Sequence, residues 1–249
     1  MKKFSLALVV VLAISSLNVK AQSVDEIVSG YFENTGGKEA WGALEGIKLI
    51  AKVNQNGIEF PLEIVQMADG RQYTKVTFQG NEFKQGVFDG ETLWSTNFQT
   101  MKAEKSDAEA TGNQKLEAND FPDALYNYQD KGYTVELMGT ETIDGAETYK
   151  IKVVKEPMTV DGQEVEDISY YFFDTETYVP IAQESQLKQG PAKGTVMQIK
   201  MSDYQEVDGL YFPFSMSQGT KGGQSQPLMI DSIELNPEVS TSDFAFPEE

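Results

Sequence analysis

Six Asn-Gly or Asp-Gly pairs, at Asn56-Gly57, Asp69-Gly70, Asp89-Gly90, Asp144-Gly145, Asp161-Gly162 and Asp208-Gly209, separate short runs of alternating apolar and polar residues. Such pairs are favoured in tight hairpin turns, whose two central residues need positive φ. A chain punctuated in this way is committed to an antiparallel meander from Ile47 onward. "IEFPLEI" puts Ile58, Phe60, Leu62 and Ile64 on one face, and "YKIKVV" does the same for Tyr149, Ile151 and Val153. Ten to twelve strands are expected. No crossover helices are available for a parallel sheet.

Before Ile47 the period is helical. In "SVDEIVSGYFENTGG", Val24, Ile27, Val28, Tyr31 and Phe32 form one apolar stripe. Ser23 and Glu26 make a capping box, and Gly36-Gly37 ends the helix. A short second helix is predicted in "KEAWGALE", burying Trp41 and Leu44. Residues 1–21 read as a signal peptide. Lys2 and Lys3 precede an apolar run from Phe4 to Ile14, and Val19-Lys20-Ala21 offers a small-x-small site, so cleavage is expected after Ala21. The expected product is a periplasmic, monomeric single domain over 22–249.

The meander is interrupted at about 105–132. "KSDAEATGNQKLEAND" is polar and predicts a loop. "DFPDALYNYQDKGY" predicts a short helix, with Asp120 as cap, Pro122 in the first turn and Phe121, Leu125 and Tyr128 on one face. This insertion is either a lid or a surface connection packed on the sheet. Pro61 and Pro213 fall inside strand patterns, where bulges or edges are expected. These features predict a mainly β fold: a strongly curved antiparallel meander forming an incomplete half-barrel, covered by the N-terminal helix and the mid-chain insertion.

Composition excludes several chemistries. The chain has no cysteine and no histidine, and Arg71 is its only arginine. Zinc sites built on His or Cys, Ser-His or Cys-His nucleophile pairs, and an acylated N-terminal cysteine are therefore ruled out. The formal charge of −19, which loss of three leader lysines makes more negative, disfavours nucleic acid and anionic surfaces. No metal or cofactor is expected. The acidic group Asp161, Glu164, Glu166 and Asp167 lacks EF-hand spacing and reads as a solvated hairpin tip. Paired carboxylates for glycoside hydrolysis are available among 39 acids, but nothing singles out a pair.

Thirteen residues are candidates for the wall of an apolar cavity: Ile58, Phe60, Leu62, Val76, Phe78, Met197, Ile199, Met201, Leu210, Phe212, Phe214, Met216 and Met229. Methionine is flexible and polarizable, which suits a wall accepting varied acyl chains. Each residue read singly is ordinary core; the expectation concerns the set.

The order of leader, amphipathic helix and interrupted meander, with "FDGETLWSTN" (88–97), "ETYKIKVV" (147–154), "ISYYFFDTETYVPI" (168–181) and "DYQEVDGLYFPFSMS" (203–217), resembles the periplasmic outer-membrane lipoprotein-sorting family, LolA/LolB-like. The resemblance implies a half-barrel enclosing an apolar cavity for lipoprotein acyl chains or another lipid, without catalysis. It also implies exchange with a membrane-embedded donor or acceptor complex. By the same resemblance Arg71, with Phe121, Leu125 and Tyr128, would hold or gate the lid. An envelope adaptor or sensor with a filled interior, and a carboxylate-dependent hydrolase, remain as alternatives.

Overall fold

The computed structural model describes residues 22–55 and 57–247; the expected leader and its cleavage site lie outside the described residues, as does Asn56. Two helices come first, α1 (Val24–Asn34) and α2 (Lys38–Gly42). The first half of the meander follows: β1 (Gly46–Gln55), β2 (Ile58–Met67), β3 (Gln72–Phe78), β4 (Asn81–Phe88), β5 (Leu93–Thr96) and β6 (Ala103–Lys105). After α3 (Ala108–Glu117) come β7 (Thr134–Ile143), β8 (Ala146–Val154), β9 (Met158–Val160) and β10 (Gln163–Val165). The chain ends with β11 (Ile168–Asp174), β12 (Pro180–Gln186), β13 (Val196–Val207), β14 (Leu210–Thr220) and β15 (Ser225–Leu235).

Thirteen strands form one antiparallel sheet in the order β6-β5-β4-β3-β2-β1-β15-β14-β13-β12-β11-β8-β7, and β9 and β10 make a separate hairpin. The strand total exceeds the expected range because runs of three or four residues escape periodicity. The last strand returns to pair with the first, so the two halves of the meander join at β1–β15. The sheet stays open between β6 and β7, where the insertion enters. The predicted mainly β, open half-barrel with helical cover is the observed architecture.

Three of the Asp-Gly pairs do what their chemistry requires, whereas at Asp69-Gly70 and Asp89-Gly90 only the glycine has positive φ. At Asp144-Gly145, Asp161-Gly162 and Asp208-Gly209 both residues have positive φ. The prolines sit where a strand has only one partner. Pro61 faces Lys52 of β1, but β3 pairs only with Leu62 to Gln66. Pro213 faces Tyr204, while β15 pairs with β14 only from Ser215 to Gly219. Each proline thus avoids a missing ladder bond.

Helix α1 is capped as predicted. Glu26 N–H donates to Ser23 Oγ at 3.2 Å, and Ser23 N–H donates to Glu26 Oε2 at 2.9 Å. Its exit is fixed by Gly36 at φ 116°, where a Cβ would lie 2.2 Å from the Gly209 carbonyl oxygen. Tyr211 N–H donates to Thr35 O at 3.0 Å, joining the helix end to the start of β14. The apolar stripe of α1 packs with Trp41, Ile151, Val153, Phe173, Leu210 and Phe212 in the main core.

The insertion reverses the expected order of loop and helix. Residues 108–117 are helical because Asp107 caps Ala110 N–H at 2.8 Å and Ala, Glu, Gln, Lys and Leu outnumber the weak formers Thr111, Gly112 and Asn113. Residues 121–132 form successive turns instead of a helix. Asp123 Oδ1 accepts from Leu125 N–H at 2.7 Å, a local bond that competes with helix, and Asn127 has φ 51°. Helix α3 is fastened to the β9–β10 hairpin: Asn113 exchanges two amide hydrogen bonds with Thr159, and Glu109 accepts from Asp161 and Gly162 N–H.

A second core lies on the opposite face of the sheet. Val65, Tyr73, Val87 and Trp94 are covered by the C-terminal tail through the fully buried Phe244, whose carbonyl accepts from Trp94 Nε1 at 2.9 Å. The tail therefore closes the outer side of β2–β5, and the helices close part of the inner side.

Candidate functional site

The inner face of the sheet is a trough whose two ends differ. Residue pairs in an antiparallel ladder share a face. The register Ala51↔Leu62↔Val76 and Leu49↔Ile64↔Thr74 therefore fixes the inner positions of the first half. On the other wall, Met216 faces Met201 and Leu228, and Ile199 faces Gln218. Where α1 and α2 cover this face it is solidly packed. Beyond them the trough holds a cavity of about 480 Å³, whose apolar wall is Val53, Leu62, Ile64, Ile199, Met216 and Leu228, with Met197 beside them. Glutamines 218, 224 and 226 edge it at the β14–β15 hairpin.

Leu62, Met197, Ile199 and Met216 thus share one cavity. Phe60, Val76 and Phe78 lie on the same inner face, and the Phe60 and Phe78 rings meet at 5.3 Å toward the hairpin tips. Ile58 is at the β1–β2 tip and 52% exposed. Met201 faces Met216 across the ladder, and Phe214 is half-buried between Phe212 and Met216. Leu210 and Phe212 do not line the cavity. Both are buried in the main core, with Phe212 5.1 Å from the Trp41 ring, because α2 fills that end of the trough. Strand β14 therefore serves two purposes: its first half anchors the helices and its second half walls the cavity.

Met229 faces the other way. It pairs with Lys52 and Ser215 on the outer face and is 46% exposed. A bulge opposite Ile50/Ala51 shifts the alternation, so that Leu228 and Ile230 point inward together with Ile233 and Leu235. Sequence reasoning missed Val53, Ile64 and Leu228. Ile64 continues the "IEFPLEI" alternation and was available from it; Leu228 was hidden by the bulge.

The insertion covers the inner end of the trough, away from the apolar cavity. Leu125 is fully buried, Tyr128 is buried, and Phe121 packs on the same core. Tyr128 donates to Asp25 of α1 at 2.5 Å and Tyr31 donates to Asp123 at 3.2 Å, so these turns are tied to the first helix. Between the insertion and the β2–β3 turn lies a polar cleft of about 330 Å³. Arg71 lines it opposite Glu117, Asp120 and Phe121. The guanidinium pairs with Asp69 at 2.8 Å and stacks 4.9 Å from the Phe244 ring, while its Nη1 is buried without a partner. Among the described residues Arg71 makes no hydrogen bond to the insertion.

Cleft and apolar cavity are neighbours on one surface. Gln66 of the cleft is two residues from Ile64 of the cavity, and Gln183 of the cleft pairs directly with Ile199. The trough passes from hydrocarbon to polar lining within one strand repeat.

Burial dominates the electrostatics of the cleft. It pushes the Asp123 carboxyl above its ordinary range, against hydrogen bonds from Leu125 and Tyr31, and raises Glu117 in the same direction. Lys155 is buried yet held above its ordinary value by Asp120 at 2.7 Å and Asp167 at 3.0 Å. A carboxyl raised on folding contributes stability that is present below its unfolded pKa and lost as pH rises through the folded one. Asp123 therefore costs stability at neutral pH. Asp123→Asn is expected to melt above the unaltered protein at pH 7, with the difference shrinking toward pH 4. Thermal melts across that range check it. A constant difference would show that the side chain acts through its hydrogen bonds alone.

No helix among the described residues is long and apolar enough to cross a membrane. No protein-family model matches the chain, and no curated protein does. Solved structures do. A LolA superfamily protein from Nitrosomonas europaea superposes with a TM-score of 0.55 at 12% identity, covering 90% of this chain and 98% of the other. A proposed outer-membrane lipoprotein-sorting protein domain from Vibrio parahaemolyticus gives 0.53 at 11% identity, over 88% and 94%. A DUF1329 family protein from Desulfovibrio piger gives 0.53 at 12%, over 88% and 97%. The chain thus has an open antiparallel half-barrel of the kind found in LolA superfamily proteins. At these identities the likeness is one of fold.

Proposed function

We propose that this protein is a non-enzymatic periplasmic carrier that holds an acyl chain of a lipoprotein or other lipid in the uncovered part of its trough. The observation that carries the reading is the 480 Å³ cavity walled by Leu62, Ile64, Ile199 and Met216, which the chain's own helices leave open. Hydrocarbon burial stabilises by about 0.8 kcal/mol per methylene, so a chain covered over part of its length is held usefully. The fold shared with lipoprotein-sorting proteins supports the same reading. In this account the ligand moves down an affinity gradient between a membrane-embedded donor and acceptor, with no hydrolysis by this chain. The insertion and Arg71 line the polar cleft that adjoins the cavity wall at Gln66 and Gln183.

The test is titration of the mature protein with a fluorescent long-chain fatty acid. Saturable binding that unlabelled fatty acid competes away supports the carrier. Failure to bind would favour the envelope adaptor or sensor, a reading to which the solid packing beneath α1 and α2 lends weight.

A further inference from the structure

The charge of this protein is segregated along the strand direction. Successive antiparallel strands send their turns to alternate ends of a sheet. At one end lie the turns β2–β3, β4–β5, β7–β8, β11–β12 and β13–β14, and each carries acid: Asp69, Asp89 with Glu91, Asp144, Glu176 and Asp208. At the other end the tips 57–58, 78–81, 97–102, 187–195 and 221–224 contain no Asp or Glu. They contain Lys102, Lys188, Lys193 and Lys221 instead. Among the described residues Lys102, Lys188 and Lys193 form no ion pair, while Lys221 is bound to Glu184 at 2.8 Å. Only these five tips are free of acid: the sixth connection at this end, 155–167, is acidic and tied to α3, and Glu59, Glu82 and Glu104 stand just behind the tips, Glu104 accepting from Asn97 at 2.9 Å.

The same tips carry exposed hydrocarbon. Eight large apolar side chains stand out as exposed among the described residues, and five of them sit here: Ile58, Phe78, Phe98, Met101 and Leu187. They come from four different hairpins on one edge, with glutamine, asparagine, glycine and lysine between them. The apolar cavity reaches this edge, where Gln224 and Gln226 line it.

We infer that this rim is a docking edge for the surface of an anionic lipid bilayer. Apolar tips reach the headgroup–acyl boundary and unpaired lysines meet the lipid phosphates, while the acidic end points away. The charge of the whole chain argues against such a surface; the unpaired Lys102, Lys188 and Lys193 at the tips match it locally. Docking in this orientation places the Gln224–Gln226 end of the cavity against the membrane. It does not depend on whether the cavity is filled.

Co-sedimentation of the mature protein with vesicles tests the inference. Binding is expected to phosphatidylglycerol–phosphatidylethanolamine vesicles at low salt, weakening as salt rises, and to be much weaker with phosphatidylcholine alone. Replacing Lys188 and Lys193 by Gln should lower affinity on the order of 30-fold. Ile58→Ser/Phe78→Ser/Leu187→Ser should abolish binding, while Tyr211→Ser at the acidic end changes nothing. Ile199→Glu, which disables the cavity, should still bind vesicles. The inference is overturned if the unaltered protein ignores anionic vesicles, binds both compositions equally, or is unaffected by the rim variants; the rim would then belong to a protein partner.

Discussion

Ile199→Glu is expected to lower affinity for a long-chain fluorescent fatty acid by on the order of 100-fold or more. Ile199 stands in the cavity wall, opposite Gln218 on one side and Gln183 on the other. A carboxylate there stays hydrated and excludes hydrocarbon from its surroundings. Losing burial of about four methylenes removes roughly 3 kcal/mol, which is the stated factor. The control is Ser202→Glu, three residues on in the same strand and exposed on the outer face. It adds the same charge and should leave affinity within about twofold. Equal losses in both variants would place the ligand elsewhere.

The second large effect concerns stability. Trp41→Ala should destabilise the fold by about 3–5 kcal/mol, as truncation of a buried aromatic does. Trp41 is 4% exposed, lies against Phe212 and Phe32, and donates Nε1 to the Thr35 backbone and hydroxyl at 3.2 and 3.1 Å. It links α2, the end of α1 and β14. For a domain of this size each kcal/mol shifts Tm by about 2–4 °C, so a fall of roughly 10 °C is expected by differential scanning calorimetry. Trp41→Phe keeps an aromatic ring but loses the donor and part of the indole's volume, and should fall between. A shift below about 2 °C for the alanine variant would mean that the helices are dispensable to the sheet.

Much of this was legible in residues with strong local chemistry. The Asp-Gly pairs fixed the hairpins, and the capping box with its apolar stripe fixed α1. Three kinds of information were not local. The bulge that turns Met229 outward and Leu228 inward depends on pairing with β1, which lies far away in sequence. The division of β14 into anchor and wall depends on where α2 comes to rest. The apolar outer positions Val65, Tyr73 and Val87 signal a second buried face, but only the fold shows that Phe244 covers it. In the insertion, helix propensity alone favoured 108–117. The apolar pattern of 121–128 was the misleading signal, since those side chains are buried from turns held by Asp123.

Net charge misled in a different way. A formal −19 describes the chain as a whole, whereas the meander sorts its turns between two ends. Acid-free tips look unremarkable one at a time in the sequence. Only strand order brings them to a common edge, which the cavity reaches.

Native mass spectrometry of the protein purified from its native source without detergent tests the carrier account most directly. The account predicts a population heavier than the bare chain by the mass of an acyl-bearing lipid, shed on activation and missing from Ile199→Glu. A bare mass alone, with no acyl ligand displacing a fluorescent one, would contradict it.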